Sequence, residues 1–106
     1  MSNIYTRYTC KKLQNNQYPN INPTIAQISS YLDEVYQQTV VTILGTNFRY
    51  FSIINLGNIS LNIIYISSNL ISFNVPRNLP SGLYSLSVVN DSISSNSVDF
   101  LYKNSI

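Results

Sequence analysis

The feature that most constrains this chain is a series of short apolar runs, separated by turn residues, that extends from Thr24 to Tyr102. Within most of these runs apolar and polar residues alternate, which is the period of a β-strand with one buried face. Short runs at such close spacing are typical of an all-β sandwich. The best helical candidate, Tyr31–Gln38, is only about one or two turns long.

The alternation predicts about seven strands, the number found in an immunoglobulin-like β-sandwich. Their predicted bounds are Thr24–Ser30, Thr39–Leu44, Ser52–Leu56, Ile59–Ile66, Leu70–Val75, Leu83–Val89 and Ser97–Tyr102. Apolar residues share one face in most of them: Val41 with Ile43, Ile54 with Leu56, Ile71 with Phe73 and Val75, Leu86 with Val88, and Phe100 with Tyr102. The fourth strand is rich in isoleucine on both faces, so the alternation does not fix its register.

Glycine and proline mark the predicted turns. Gly45 and Gly57 follow the second and third strands and Gly82 precedes the sixth, where we expect them to adopt positive φ angles. Pro76 ends the fifth strand because it has no N–H to donate to the ladder. The run 80–82, Pro-Ser-Gly, predicts a tight turn.

Several short motifs occur along these strands in a characteristic order. They are Pro23-Thr24-Ile25, Ile28-Ser29, Thr39-Val40-Val41-Thr42-Ile43-Leu44-Gly45-Thr46-Asn47-Phe48, Leu56-Gly57, Ile71-Ser72-Phe73-Asn74-Val75-Pro76, Gly82-Leu83-Tyr84-Ser85-Leu86-Ser87-Val88-Val89-Asn90 and Phe100-Leu101-Tyr102. This order resembles the IPT/TIG domain, an immunoglobulin-like fold shared by plexins, transcription factors and some extracellular enzymes. The resemblance covers residues 23 to 102, and the Gly-Thr-Asn-Phe motif after a Val-x-Ile strand is its most specific part.

The resemblance implies a β-sandwich that serves as a spacer, a dimerisation module or a binding surface, with no catalytic residues. It divides the chain into an extended, polar and basic N-terminal arm, residues 1–22, and a domain, residues 23–106. The turn within 31–38 and the loop 91–96 lack the glycines that the family usually has there. Tyr84 near the start of the sixth strand predicts a tyrosine corner, in which its hydroxyl bonds back to the preceding loop.

Composition excludes several chemistries. The chain has no His and one Cys, which rules out Ser–His and Cys–His nucleophiles, imidazole metal sites and an intrachain disulfide. Asp33 and Glu34 are adjacent carboxylates, but adjacent residues in a turn point apart, so we do not assign them a metal. We therefore predict a protein that is not an enzyme and that has no metal or cofactor site.

The ends of the sequence bear on location. The first thirty residues show no signal-peptide pattern, and the long charge-free stretch Tyr50–Pro76 is interrupted by asparagines that would be costly in a membrane. We expect an intracellular or virion-associated protein with no membrane partner. The abundance of Asn, Ile, Tyr and Ser indicates an AT-rich genome.

The N-terminal arm combines cations with aromatic residues, namely Tyr5, Arg7, Tyr8, Lys11 and Lys12. Such a mixture can bind single-stranded nucleic acid, although three cations would release few counterions. The favoured alternative is an arm that contacts a neighbouring subunit. Cys10 could cross-link two chains or remain a reduced thiol.

Charge is scarce, at 9% of residues, where an ordinary soluble domain has about 25%. Uncharged faces and edge strands are templates for association. We therefore predict a structural, protein-interaction component of a larger assembly that contains other proteins or copies of itself, such as a minor capsid or virion protein of a large AT-rich DNA virus. The alternative is an adhesin-type or carbohydrate-associated recognition module that uses exposed tyrosines, for which the candidates are Tyr31, Tyr36 and Tyr50. Nucleic-acid binding through the arm is the least favoured of the three.

Overall fold

Residues 22–104, which a computed structural model describes, form nine β-strands and no helix. The strands are β1 Thr24–Asp33, β2 Gln38–Thr46, β3 Ile53–Leu56, β4 Ile59–Asn62, β5 Ile64–Ser67, β6 Leu70–Asn74, β7 Gly82–Asn90, β8 Ile93–Ser94 and β9 Val98–Tyr102. A helix able to cross a membrane is therefore absent from this part of the chain.

The strands form two antiparallel sheets. The first sheet has the order β1-β2-β6-β5, and the second has the order β4-β3-β7, with β8 and β9 in succession along the other edge of β7. This arrangement confirms the predicted all-β, immunoglobulin-like sandwich.

The interior is built from the inward side chains of both sheets. The alternation placed most of them correctly, and the fully buried apolar residues in the strands are Val41, Ile43, Ile54, Leu56, Ile71, Phe73, Leu86 and Val88. Phe48 from the loop after β2 fills the same interior and is also fully buried. Each such side chain contributes about 1.5–3 kcal/mol by leaving water, so this shared core is the main source of stability.

The predicted fourth strand is the main error in the strand assignment. Instead of one strand over Ile59–Ile66, the chain forms β4 against β3 and β5 against β6, with a break at Ile63. At Ile63 the chain leaves the second sheet and joins the first. Isoleucines that fit either face hid this crossing, because each short strand satisfies the pattern by itself.

The segment Tyr31–Gln38 is a hairpin and not a helical turn. β1 continues to Asp33, the turn covers 34–37, and β2 begins at Gln38. The Asp33 carboxylate accepts hydrogen bonds from the backbone N–H groups of Val35 (3.0 Å) and Tyr36 (3.4 Å), which stabilises the turn. Gln37 adopts the positive φ angle (53°) that a glycine would otherwise supply.

The glycines do not all have the role that the sequence suggested. Gly57 has a positive φ angle (59°), but Gly45 and Gly82 do not, so that expectation was wrong for two of the three. Gly45 is needed for space: a Cβ there would lie 1.9 Å from the backbone oxygen of Thr24 and 2.6 Å from the Phe48 ring. The positive φ angles after β2 and β7 belong to Asn47 and Asp91.

This close packing predicts that Gly45→Ala lowers the free energy of unfolding by about 3 kcal/mol, because backbone and not a flexible side chain stands in the way. Gly82→Ala is the matched control. Its added methyl would lie 3.7 Å from the nearest heavy atom, in the Tyr84 ring, so stability should stay within about 0.5 kcal/mol. Urea unfolding of the full chain measures both changes, and equal stability of the two variants would contradict the packing argument.

Candidate interaction surfaces

The outward face of the first sheet is an almost uncharged surface. Its residues alternate with the buried ones, and cross-strand pairing places them side by side. The residues that define this surface, here called the neutral face, are Tyr31, Val40, Thr42, Leu44, Ile64 and Leu70. The hydroxyl of Thr42 lies near its centre, between the paired residues Ser29 and Ser72.

Charge is confined to the margins of this face. Within residues 22–104 the charged side chains are Asp33, Glu34, Arg49, Arg77, Asp91, Asp99 and Lys103. Only Asp33 shares the outward alternation of the first sheet, and it is the last residue of β1. A partner could therefore cover the rest of the face without desolvating a charge.

The edge strand β5 borders the neutral face and has little protection against pairing. All four of its residues are exposed, including Ile64, Tyr65 and Ile66. Natural proteins usually guard such edges with Lys, Pro or a bulge. β5 has neither Lys nor Pro, and its one defence is a register shift between Tyr65 and Ser67.

A groove of about 310 Å³ lies between β1 and β9. It is lined by Ser30, Tyr31, Leu32, Thr39, Phe100, Leu101, Tyr102 and Lys103, and we call it the β1–β9 groove. Among the described strands β1 pairs only with β2, and β9 pairs only with β7. Each strand therefore presents an unpaired edge toward the groove.

The Asn96 side chain joins the two sheets on the β1 side of the sandwich, near the beginning of β1. Its amide accepts a hydrogen bond from the Ile25 N–H (2.8 Å) and donates one to the Ile25 carbonyl (3.0 Å). Asn96 thus pairs with Ile25 as a neighbouring strand residue would. A register shift between Ile25 and Gln27 follows at once, and beyond it β1 pairs only with β2 as it runs toward the groove.

The turn of the β1–β2 hairpin is the most exposed apolar part of the domain. Val35 is 83% exposed and Tyr36 is 65% exposed. The guanidinium of Arg77 donates a hydrogen bond to the Tyr36 carbonyl and braces the turn. The structure therefore presents Tyr36 on a supported loop.

The predicted tyrosines separate into two groups. Tyr31 and Tyr36 are both exposed on the β1–β2 hairpin. Tyr50 is exposed in the loop that follows the opposite end of β2, where its ring meets Phe51 edge to face at 5.3 Å. The structure places the first two on one hairpin and leaves Tyr50 apart. The arm candidates Tyr5, Arg7, Tyr8, Lys11 and Lys12, together with Cys10, lie outside the described residues.

Two exposed leucines were missed as surface candidates. Leu83 and Leu101 pair across β7 and β9 and are 66% and 62% exposed. Their positions carried a signal, because each alternates with residues that the sequence assigned to the interior. Leu101 also lines the β1–β9 groove, whereas Leu83 does not.

Tyr84 has the structural role that the sequence predicted. Its hydroxyl donates a 2.6 Å hydrogen bond to the Pro80 carbonyl, which is a tyrosine corner. Asp33, the candidate acid, accepts hydrogen bonds within its own turn. Residues 22–104 contain no group of three or more acidic, Cys or His side chains that could hold a metal ion.

The sandwich, the tyrosine corner and the tightly packed Gly45 all lie within residues 23–102. The model of the IPT/TIG domain family matches residues 23–102. The chain belongs to this family. TIG domains are immunoglobulin-like modules for protein interaction and recognition, and they are typically non-enzymatic. A comparison with curated protein sequences found no match.

The Asn96 bridge of this TIG domain gives a test of how β1 is attached. Asn96→Ala should lower the free energy of unfolding by about 2 kcal/mol, because two hydrogen bonds to a partly buried backbone are lost. The Ile25 amide should then exchange its hydrogen at least about tenfold faster. Ser97→Ala, at the next and also exposed position, is the control. Unchanged exchange at Ile25 in the Asn96 variant would refute the attachment.

Proposed function

We propose that this TIG domain is a non-enzymatic structural component of a larger assembly, in which neighbouring proteins or copies of the same chain cover its neutral face. The observation that carries the proposal is the absence of charge along that face from the Gln27–Leu44 pair to the Tyr31–Val40 pair of β1 and β2. Solvent-facing surfaces of free domains usually hold about 25–35% charged residues.

A partner that covers the neutral face must remove the side chains of that face from water. Covering Leu44, Ile64 and Leu70 is favourable at about 25 cal/mol per Å² of apolar area. Covering Thr42 and its neighbouring hydroxyl and amide groups costs far less than covering ions, provided that these groups find hydrogen-bond partners. The outward face of the second sheet is less suited, because Asp99 of β9 lies on it, paired with Ser85 of β7.

The shell of a large DNA virus with an AT-rich genome is the form of assembly that the composition supports, with the chain as a minor capsid or virion protein. The same placement would make the chain intracellular or virion-associated. The codon bias of the abundant residues and the low charge support this virion role.

A recognition module is the second candidate function. Tyr31 and Tyr36 are exposed together on one braced hairpin, and aromatic side chains of this kind are common in binding surfaces. Binding of a carbohydrate or of a cell-surface ligand would use the turn of this hairpin and leave the centre of the neutral face, at Thr42, free. Nucleic-acid binding through the arm remains the least favoured function, since three cations give only a weak dependence on salt.

A charge at the centre of the neutral face tests the main proposal. We expect Thr42→Lys to weaken self-association of the full chain at least about tenfold, because an unpaired buried charge costs several kcal/mol. Ser87→Lys is the matched control, since it also replaces a half-buried hydroxyl residue on a central strand, but on the second sheet. Size-exclusion chromatography with light scattering measures the mass of each variant.

Both variants should unfold within about 5 °C of the unmodified chain, so that a loss of association is not a loss of fold. If the two lysines weaken association equally, or if only Ser87→Lys does so, the neutral face is not the contact surface. If Tyr36→Ala abolishes ligand binding while Thr42→Lys leaves it intact, the recognition function is favoured instead.

A further inference from the structure

We propose that the β1–β9 groove binds residues Ile4–Cys10 of a second copy of this chain as an added strand. The inference rests on the proposed function, since it presupposes that copies meet in an assembly. It adds a separate contact, made by backbone pairing at the edge of the sandwich, to the contact made by the neutral face.

The groove offers what an added strand requires. Within the described residues, β1 and β9 are the outer strands of their sheets on this side, and neither has a pairing partner on its outward edge. Peptides that add to such an edge gain affinity from main-chain hydrogen bonds and specificity from pockets for alternate side chains. Leu32 and Leu101 at the groove are apolar side chains that could form these pockets.

The segment Ile4–Cys10 has the residue types of a strand. Its sequence is Ile-Tyr-Thr-Arg-Tyr-Thr-Cys, and aromatic and β-branched residues of this kind are enriched in strands. Such a segment would extend about 23 Å, at the usual rise per residue. The part of β1 from Ile28 to Asp33 is of comparable length, so the groove edge could pair with most of the segment.

The charges of the arm and the groove are complementary. The arm carries Arg7, Lys11 and Lys12 and no acid. Three of the four acidic residues in the described part of the chain are sequence neighbours of residues that line the groove: Asp33 and Glu34 follow Leu32, and Asp99 precedes Phe100. Lys103 is the one cation that lines the groove. No comparable set of acids borders the exposed edge strand β5, which makes the groove the better site for a basic segment.

The assembly that the proposed function requires favours a second copy over the same molecule. The arm joins the domain at Asn22, whose carbonyl accepts a hydrogen bond from the Asn47 amide, and Pro23 is fully buried. Asn22 precedes this proline and is therefore restricted to extended conformations. The groove lies toward the other end of β1. Residues 11–21 can span at most about 36 Å, which is enough to reach an adjacent subunit.

The test measures binding of a labelled synthetic peptide of residues 1–14 by fluorescence anisotropy. The receptor is the full chain with Thr6→Pro, because proline lacks an N–H and prevents its own arm from pairing. We expect saturable binding that Leu101→Lys in the receptor weakens about tenfold or more. Leu83→Lys is the matched control, equally exposed and paired with Leu101 but outside the groove, and should change the affinity less than about twofold.

Three results would overturn the inference. The first is absence of saturable binding or equal binding by the Leu101→Lys receptor. The second is equal binding by a peptide that itself carries Thr6→Pro, which would exclude strand pairing. The third is failure of the peptide to bind the unmodified chain at dilutions where that chain is a monomer. The arm would then occupy the groove of its own molecule.

The peptide assay does not depend on contacts through the neutral face, so the two proposals can fail separately. Peptide binding together with normal association of the Thr42→Lys chain would retain the arm contact and refute the proposed face. Loss of association in the Thr42→Lys chain, together with absence of peptide binding, would retain the neutral face as a contact surface and refute the arm contact.

A longer peptide, of residues 1–21, provides a further control. Its Asn16→Pro variant is changed outside the pairing segment, so the affinity should stay the same.

Discussion

The shared interior between the two sheets is the constraint on which the rest of this structure depends. Most strands contribute apolar side chains inward, and Phe48, Phe73 and Phe100 occupy the space between the sheets. Because most of the stability comes from this layer, the outward residues of the two sheets are largely free to vary without loss of the fold. That freedom allows a surface with very little charge, which would be a liability for a free domain but suits one that contacts neighbours.

Strand β1 connects the interior to the candidate surfaces. At its beginning it is fixed by the close approach of the Thr24 carbonyl to Gly45 and by the Asn96 amide. Toward its other end it pairs only with β2 and forms one wall of the β1–β9 groove. The same strand is therefore held by contacts where the arm leaves the domain and open where a partner could add.

The fold was predictable from the sequence because most strands have one clearly apolar face. Val41 and Ile43, or Leu86 and Val88, report their burial through alternation alone. The crossing at Ile63 was not predictable, because isoleucine fits either face and alternation describes one strand at a time. The need for Gly45 also escaped prediction, since it arises from a contact with a residue that lies far away in the sequence. On the surface, exposure of Tyr31 and Tyr36 was predicted. Their separation from Tyr50 was not, because it depends on which end of β2 each tyrosine lies near.

Sedimentation equilibrium of the unmodified full chain, over a range of concentrations at low salt and at about 1 M NaCl, distinguishes a covered outer surface from a free one. If copies of the chain cover the neutral face, the average mass should rise above 12.0 kDa with concentration. Most of this association should persist at high salt, because an uncharged face loses little to screening. A chain that remains a monomer at high concentration, or an association that salt abolishes, would contradict the claim that uncharged outer surfaces are covered by neighbours.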